Sequence, residues 1–300
     1  MRGWIVVGAL LASLGPGAAQ ARAQGDPIMP LSELRQGMQC KGYSVFRGTE
    51  SDEFDVEILD VVGGESGARI LVRVSGPAVD RTGVGPGFSG SPIYCEDEAG
   101  TRKNAGAISE TIGEYGGKTV MATPIEQILA ATPDPAPAGE GGRRATRAPA
   151  GLASPLTVRG LDRPVFEALR RAARKQGRLL IPAPPVSLQQ APSSPFKPGS
   201  AVSIGLSSGD VSLGAIGTVA YVDGPRVYTL GHQFDGVGAR SLFLQSAYVA
   251  AVIDNPVQIA DFGGTYKLAG PVDDVGSVTN DTFGAVSGRL GGLPPTVPVQ

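Results

Sequence analysis

Short runs of alternating or apolar residues, separated by glycine-rich turns, fill residues 29–129. The runs at 43–46, 54–59 and 69–74 are of this kind. Successive side chains of a strand point to opposite faces, so runs with a period of two residues predict strands joined by turns. The same pattern resumes at 201–206 and continues to residue 290. We therefore expect two β-rich halves.

Two segments carry helix signals instead. Thr123-Pro124-Ile125-Glu126 matches a capping box with proline at the first helical position, which predicts a short helix at the end of the first half. In the second segment, Asp162 is a candidate N-cap and Gly177 a stop for a helix with one apolar face. That face consists of Val165, Phe166, Leu169, Ala172 and Ala173.

The segments between the two halves are rich in proline, alanine, glycine and arginine and have no apolar periodicity. This composition is typical of solvated linkers. The expected organisation is a signal peptide at 1–23, a first β half-domain at 24–130, a linker at 131–160, a linker helix at 161–178, a proline-rich linker at 179–198 and a second β half-domain at 199–293.

Glycine and proline are abundant, with 44 and 25 residues among 300, yet 41% of the residues are hydrophobic. A turn-rich all-β protein fits this composition better than disorder does. The net charge is −2, and the basic residues are spread along the chain. Bulk charge therefore gives no indication of a nucleic-acid partner or of an anionic membrane surface.

The N-terminus has the pattern of a secretory signal peptide. Arg2 precedes a short apolar run at 4–14, and Ala21-Arg22-Ala23 has the form of a signal-peptidase site. The apolar run is shorter than the roughly 20 residues that a membrane span needs. We expect cleavage and export to the cell envelope or the exterior, without stable membrane insertion.

The chain has two cysteines, Cys40 and Cys95, so only one disulfide pairing exists. Export would place them in an oxidising compartment where a bridge can form. The alternative is a pair of buried free thiols, because cysteine is among the most buried residue types.

Ser89 lies in the sequence Gly85-Pro86-Gly87-Phe88-Ser89-Gly90-Ser91-Pro92, a glycine-rich turn followed by an apolar strand. A serine on such a turn can stand beside free backbone N–H groups, which is the minimal apparatus for acyl transfer. The chain has a single histidine, His232. If Ser89 is a nucleophile that needs an imidazole base, only His232 can supply it.

The flanking residues discriminate between two kinds of serine turn. An α/β-hydrolase elbow needs glycine two residues before and two after the serine, followed by a helix. Here Ser91 occupies the later position and a strand-like segment follows, so that elbow is excluded. In the chymotrypsin-like arrangement, the nucleophile and a glycine two residues earlier donate N–H groups to the oxyanion. By that analogy, the donors are Gly87 and Ser89.

The chain resembles the peptidase domain of the stage IV sporulation protein B family of serine peptidases. The resemblance rests on 54–58, Gly87-Phe88-Ser89-Gly90-Ser91-Pro92-Ile93, 106–108, 123–126, Gly231-His232 and 275–290. It implies an all-β fold of two chymotrypsin-like β-barrel half-domains. The spore peptidases place histidine before serine, whereas here the serine half comes first, so the resemblance implies a permuted order. Triads are recognised by geometry and not by chain order.

The third member of a triad is open. In the family an acid stands beside a proline shortly before the serine; the matching pair here is Gly76-Pro77, and the nearest acid is Asp80. Asp235 and Asp254 are further candidates to orient His232. For each of the three, the alternative is a turn residue that caps local backbone N–H groups. A Ser–His dyad without an acid is a further alternative.

These residues predict a secreted serine endopeptidase that acts on protein or peptide substrates through an acyl-enzyme, with Ser89 as nucleophile and His232 as base. The sequence offers no credible zinc ligand set and no phosphate-binding glycine loop, so we expect no cofactor or metal. One alternative is a catalytically inactive β-rich binding module of the cell envelope. Another is autoproteolytic cleavage within the linker at 131–155.

Overall fold

A computed structural model describes six stretches of the chain. The segment predicted to be a signal peptide, 1–23, lies outside the described residues, as does most of the linker expected at 131–160. The side chains of 255–263 are likewise not described. The six stretches are 25–64, 67–112, 117–134, 155–184, 195–259 and 262–295.

The first half is a closed six-stranded antiparallel barrel. Its strands follow the order β1-β2-β3-β6-β5-β4, and β4 pairs with β1 to close the ring. A short helix, α1, follows the last strand. The elements are β1 (Gln39–Val45), β2 (Ser51–Val62), β3 (Arg69–Ser75), β4 (Pro92–Glu96), β5 (Arg102–Thr111), β6 (Thr119–Pro124) and α1 (Ile125–Ala130), preceded by a 3-10 turn at Leu31–Glu33.

The second half is an eight-stranded sheet. Six of its strands pair in a ring, because β10 pairs with both β9 and β11, while β7 and β8 extend the sheet from β10. A helix, α2, connects β7 to β8. The elements are β7 (Leu156–Arg159), α2 (Arg163–Lys175), β8 (Leu180–Pro182), β9 (Ala201–Ser207), β10 (Ser212–Asp223), β11 (Arg226–Thr229), β12 (Gly238–Ile259), β13 (Phe262–Thr282) and β14 (Ala285–Leu290).

The alternation in the sequence is what fills the first barrel. Ile70, Val72 and Val74 of β3 are fully buried, whereas Arg73 and Ser75 between and after them are exposed. A one-residue shift in register would exchange the two faces, so burial of one face fixes the pairing of β3 with its neighbours. The predicted all-β class, with barrel-forming halves and few helices, is confirmed.

Of the two helix caps predicted from the sequence, one is present in the structure and one is not. Asp162 caps α2 as predicted, accepting a 2.9 Å hydrogen bond from the Val165 N–H. The capping box expected at the start of α1 is wrong, because the N-cap is Pro124 and no side chain caps this helix. Instead, the Thr123 hydroxyl donates to the carbonyl of Gly231 in the second half, at 2.6 Å.

Both segments predicted to be linkers contain strands. β7 lies within the expected linker 131–160 and pairs with β10, and β8 lies within 179–198 and runs parallel to β7. Leu156, Val158 and Leu180 are buried there. These strands are only four and three residues long, too short for a period of two to be recognised among prolines and glycines.

Cys40 and Cys95 form a disulfide. They face each other in the register of β1 against β4, with their Cα atoms 4.4 Å apart. The bond therefore crosses the seam at which the first barrel closes. Closing a loop of this length stabilises a folded chain by about 4 kcal/mol in the chain-entropy model.

The two halves pack against each other through main-chain and apolar contacts. Gly48 forms a β-bridge with Val249, and Val45 is buried among residues of the second sheet. The Asn104 amide donates a 3.0 Å hydrogen bond to the carbonyl of Ala220. Among the described residues, neither helix has the length and apolar character needed to cross a lipid bilayer.

Candidate active site

Ser89 lies on a tight turn that leads into β4, between two glycines with positive φ. Gly87 has φ +92° and Gly90 has φ +93°. Both angles fall in the left-handed region, which glycine adopts without steric cost. Phe88, between Gly87 and Ser89, donates its N–H to the carbonyl of Gly85 at 3.0 Å and buries its ring in the barrel core. Phe88 thus anchors the turn, while Ser89 is 4% exposed.

The two N–H groups expected to form an oxyanion hole are unpaired. Within the described residues, neither the Gly87 N–H nor the Ser89 N–H donates to a protein acceptor. In a trans peptide unit the C=O and the N–H point in opposite directions. The carbonyl that shares a peptide unit with each of these N–H groups accepts a hydrogen bond, so the N–H points away from the donor of that bond. These contacts are Lys267 N–H to Pro86 O (3.0 Å) and Ser91 N–H to Phe88 O (2.9 Å).

His232 follows β11 on a loop with two successive residues in the left-handed region. Leu230 has φ 65° and Gly231 has φ 67°. A leucine in this region is strained by about 1–3 kcal/mol and keeps that conformation only where its surroundings impose it. The Leu230 side chain is fully buried, and its N–H donates to the carbonyl of Thr218 at 3.2 Å. The core of the second half therefore imposes the backbone geometry from which the His232 ring projects.

The His232 ring makes one hydrogen bond. Its Nδ1 lies 2.7 Å from the carbonyl oxygen of Gln233. Because a carbonyl only accepts, Nδ1 carries the hydrogen and Nε2 of the neutral ring carries the lone pair. Nε2 is buried and has no hydrogen-bond partner within the described residues. Burial lowers the pKa of His232, against the opposing influence of the Gln233 carbonyl, Glu110 and Asp281. Burial therefore favours the neutral ring, in which the lone pair of Nε2 is not engaged by a described residue.

The Ser89 turn and the His232 loop meet at the junction of the two halves. The Thr218 N–H donates to Ser89 O at 2.8 Å, and its carbonyl accepts from Leu230 N–H. On the other side, Gly90 N–H donates to Ile108 O at 2.7 Å. Gly231 lies so close to this carbonyl that a Cβ on it would be 3.1 Å from the oxygen. The fold thus brings together two segments that are far apart in the sequence.

Ser89 and His232 are nevertheless not hydrogen-bonded to each other. The Ser89 hydroxyl makes no hydrogen bond within the described residues, and the one bond of the imidazole goes to the Gln233 carbonyl. In ligand-free sites, such bonds are often long and tighten only when substrate binds. The hydrogen bond expected of a preformed dyad is therefore not made between these two described residues.

None of the three acids considered for the third position hydrogen-bonds to His232. Asp80 is half-exposed and pairs with Lys118 at 3.1 Å. Asp235 pairs with Arg178 and, at 2.7 Å, with Arg240. Asp254 lies in β12 opposite Thr265. The position beside Nδ1 is occupied by a backbone carbonyl instead.

Asp281, which the sequence analysis missed, is the acid that holds the histidine loop. This carboxylate of β13 is fully buried. It accepts hydrogen bonds from the N–H groups of Phe234 at 2.7 Å, Asp235 at 2.9 Å and Gly236 at 3.1 Å, and it pairs with Arg240 at 3.2 Å. A buried acid inside a strand is a weak sequence signal, because only the fold shows which backbone groups converge on it.

No family model, curated protein or solved structure matches the chain. The geometry must therefore carry the functional argument. It comprises a serine beside two unpaired N–H groups, a neutral imidazole with an unpaired nitrogen on the adjoining loop, and an acid that fixes this loop. These are components of general-base-assisted acyl transfer.

Proposed function

We propose that the chain is an exported serine endopeptidase with Ser89 as nucleophile and His232 as general base. The resemblance to the stage IV sporulation protein B family motivates the assignment, and the site geometry supports it. The observation that carries it is the presence of unpaired groups on both loops: the N–H groups of Gly87 and Ser89 on one, and the buried Nε2 of His232 on the other. Buried polar groups are almost always paired in folded proteins, so each exception asks for an explanation.

The chemistry follows from the roles these groups can take. Nε2 of His232 accepts the Ser89 proton as the hydroxyl attacks a peptide carbonyl. The N–H groups of Gly87 and Ser89 stabilise the oxyanion of the tetrahedral intermediate. The imidazolium then protonates the leaving amine, and water hydrolyses the acyl-enzyme with His232 again acting as base. The Gln233 carbonyl keeps the hydrogen on Nδ1, the tautomer this sequence of steps requires.

Substrate must bring the serine and histidine together for this reaction. The two side chains are not hydrogen-bonded in the ligand-free site, so at least one of them has to change position before the proton is transferred. A cavity of about 10 Å³ lies beside Gly87, lined by Thr157 of β7 and Ile181 of β8 among others. This space holds at most one water molecule, so it shows only that β7 and β8 pack beside the oxyanion turn.

A second candidate function is binding without catalysis. The small exposure of Ser89 and its lack of a bond to His232 favour this alternative. In that case the chain is a β-rich binding module of the cell envelope, and the glycine turn only connects strands. The two candidates differ in whether Ser89 reacts with an electrophile.

A fluorophosphonate probe tests the assignment, because it phosphonylates an activated serine whatever the substrate specificity. Purified mature protein should be labelled at Ser89, as located by tandem mass spectrometry of the modified peptide. Ser89→Ala should abolish labelling, whereas Ser75→Ala, at an exposed serine of β3, should leave it unchanged. His232→Ala should slow labelling by 10²–10⁴-fold, the usual contribution of a general base.

Added imidazole provides a further readout, because it can occupy the space of the deleted ring. We expect it to restore part of the labelling rate of His232→Ala and to leave Ser89→Ala unlabelled. If correctly folded wild-type protein shows no Ser89-dependent labelling, the peptidase assignment fails and the binding module is favoured.

A further inference from the structure

Lys267 is a buried lysine without an acidic partner. It lies in β13 of the second half, is 2% exposed, and points its ammonium group to the junction of the two halves. Its Nζ donates to Ser44 Oγ at 2.7 Å and to Thr218 Oγ1 at 3.1 Å. Within the described residues, no carboxylate lies within ion-pair distance of it. A buried cationic group with only neutral partners is costly to the fold.

Lys267 reaches three successive residues of the Ser89 turn. Its backbone N–H donates to the carbonyl of Pro86 at 3.0 Å. Its side chain runs beneath Gly87, where a Cβ would be 2.8 Å from the lysine Cβ. Its Nζ lies 4.5 Å from the centroid of the Phe88 ring, which places it within cation–π distance. The first contact holds the peptide unit that carries the Gly87 N–H, and the other two lie on the residues between the two candidate oxyanion donors.

Thr218 links Lys267 to the turn by two hydrogen bonds whose donors and acceptors are fixed. Its hydroxyl donates to the carbonyl of Gly87 at 3.0 Å. Since a hydroxyl has one hydrogen, Thr218 Oγ1 must accept from the amine of Lys267. The lysine side chain thus holds the Gly87 carbonyl through Thr218, whereas the Pro86 carbonyl is held by the backbone N–H of the same residue.

A second branch reaches the other side of the serine. Ser44 Oγ, which accepts from Lys267, lies 2.8 Å from Ser91 Oγ. The Ser91 N–H in turn holds the carbonyl of Phe88, and this carbonyl sets the direction of the following Ser89 N–H. The amine is therefore two contacts away from the Gly87 carbonyl, through Thr218, and three contacts away from the Phe88 carbonyl, through Ser44 and Ser91.

We propose that Lys267 is a positioning residue for the oxyanion turn, holding the N–H groups of Gly87 and Ser89 in the direction that the developing oxyanion requires. This inference rests on the proposed peptidase function. Lys267 acts on the turn through Thr218, Ser44 and the Phe88 ring. The arrangement couples the second half of the fold to the nucleophile turn of the first.

The charge of Lys267 gives the proposal a pH signature. Burial lowers the pKa of this amine to about 7. The groups that face it are Ser44, Thr218 and Phe88, all neutral, and Tyr266 lines the same small cavity with its pKa raised by burial. A positive charge under the turn favours an oxyanion, so labelling should decline as pH rises through the pKa of Lys267. At pH values below the pKa of Lys267, the rate of labelling should increase with pH, because His232 loses its proton.

Two variants test the proposal by different routes. Lys267→Met keeps the stem beneath Gly87 and removes the amine, and Thr218→Val removes only the branch to Gly87 at nearly constant volume. We expect fluorophosphonate labelling to slow by tenfold or more in each, and the decline at high pH to disappear in Lys267→Met alone. Val278→Ala, in the core of the second half, is the matched control for lost stability and should keep the wild-type rate and pH profile.

Amide hydrogen exchange of residues 87–91 separates this inference from the proposed function. If wild-type Ser89 is not labelled at all, the peptidase assignment fails, but faster exchange of the turn in Lys267→Met than in Val278→Ala still supports the role of Lys267 in holding the turn. Labelling within twofold of wild type in both test variants, with the pH profile unchanged, overturns the inference. Equal exchange in the test and control variants overturns it as well.

Discussion

The Thr123 hydroxyl donates a 2.6 Å hydrogen bond to the carbonyl of Gly231, joining the last strand of the first barrel to the loop that carries His232. Both residues lie at the junction of the halves, where Thr123 is fully buried. The bond satisfies a carbonyl on a loop whose preceding residue, Leu230, has a strained backbone. The first barrel thus helps to hold the loop that carries His232, the proposed base for Ser89.

Replacing Thr123 by valine should destabilise the fold and disturb the histidine loop. The substitution keeps the shape but leaves the Gly231 carbonyl without this donor, which costs about 1–3 kcal/mol. Urea unfolding should show a lower midpoint with an unchanged m value. Thr101→Val, at an exposed turn position, is the control and should change the free energy of unfolding by less than about 0.5 kcal/mol. Equal midpoints for the two variants would contradict the prediction.

Asp281→Asn should loosen the loop that follows His232. The amide keeps one acceptor oxygen but loses the charge that pairs with Arg240 and one of the oxygens that hold Phe234, Asp235 and Gly236. Breaking a buried charged network typically costs about 3–5 kcal/mol. We expect a large loss of stability in urea and slower labelling of Ser89 in the molecules that remain folded.

The control for this substitution is Asp223→Asn. Asp223 pairs with Arg226 at 3.3 Å on the surface, with both side chains about 40% exposed. Exposed ion pairs contribute about 0–1 kcal/mol, so the control should resemble wild type. If Asp281→Asn is no more damaging than Asp223→Asn, the loop does not depend on the buried carboxylate.

The alternation of apolar residues predicted the strands of the barrel well because each long strand buries one face. Ile70, Val72 and Val74 show this directly. The linker strands β7 and β8 were missed because they are short and owe their conformation to pairing with β10 and with each other. Pairing with a distant strand leaves no local signal in so short a segment.

The residues of the candidate site also fall into two groups: those that the local sequence predicts and those that only the packed fold shows. Ser89 could be predicted because the glycines that form its turn, Gly87 and Gly90, are its neighbours in the sequence. His232 could be predicted because the chain has only one histidine. Lys267, Thr218 and Asp281 act through contacts with residues far away in the chain, so their roles become visible only once the two halves are packed. Thr123 shows the same limit: the local sequence predicted that it caps a helix, but in the packed fold its hydroxyl donates to the carbonyl of Gly231 in the second half.

Gly87→Ala should disrupt the turn for two separate reasons. The backbone has φ +92°, which costs about 1–2 kcal/mol for an alanine, and the added Cβ would be 2.8 Å from the Cβ of Lys267. Gly37→Ala is the matched control, because Gly37 has φ +81° but no atom within 4 Å of an added Cβ. Both variants should lose stability, and only Gly87→Ala should also lose labelling of Ser89. Equal labelling in the two would show that the turn tolerates displacement.

The stability of the protein should rise with pH above neutrality because of Lys267. Burial lowers the pKa of its amine from 10.5 to about 7, so between these values the unfolded chain binds a proton that the folded chain does not. Stability increases with pH wherever the unfolded state binds more protons, by at most about 1.4 kcal/mol per pH unit for one group. The lowered pKa of His232 acts with the same sign, but below 6.5.

Urea unfolding at pH 7, 8 and 9 measures this slope. Lys267→Met removes the titrating group, so its free energy of unfolding should vary less over this range than that of wild type. Lys197→Met, at an exposed lysine paired with Glu50, should keep the wild-type slope. A slope that is the same in all three proteins would mean that the Lys267 amine keeps its proton throughout. The decline in labelling expected from its deprotonation could then not originate at this residue.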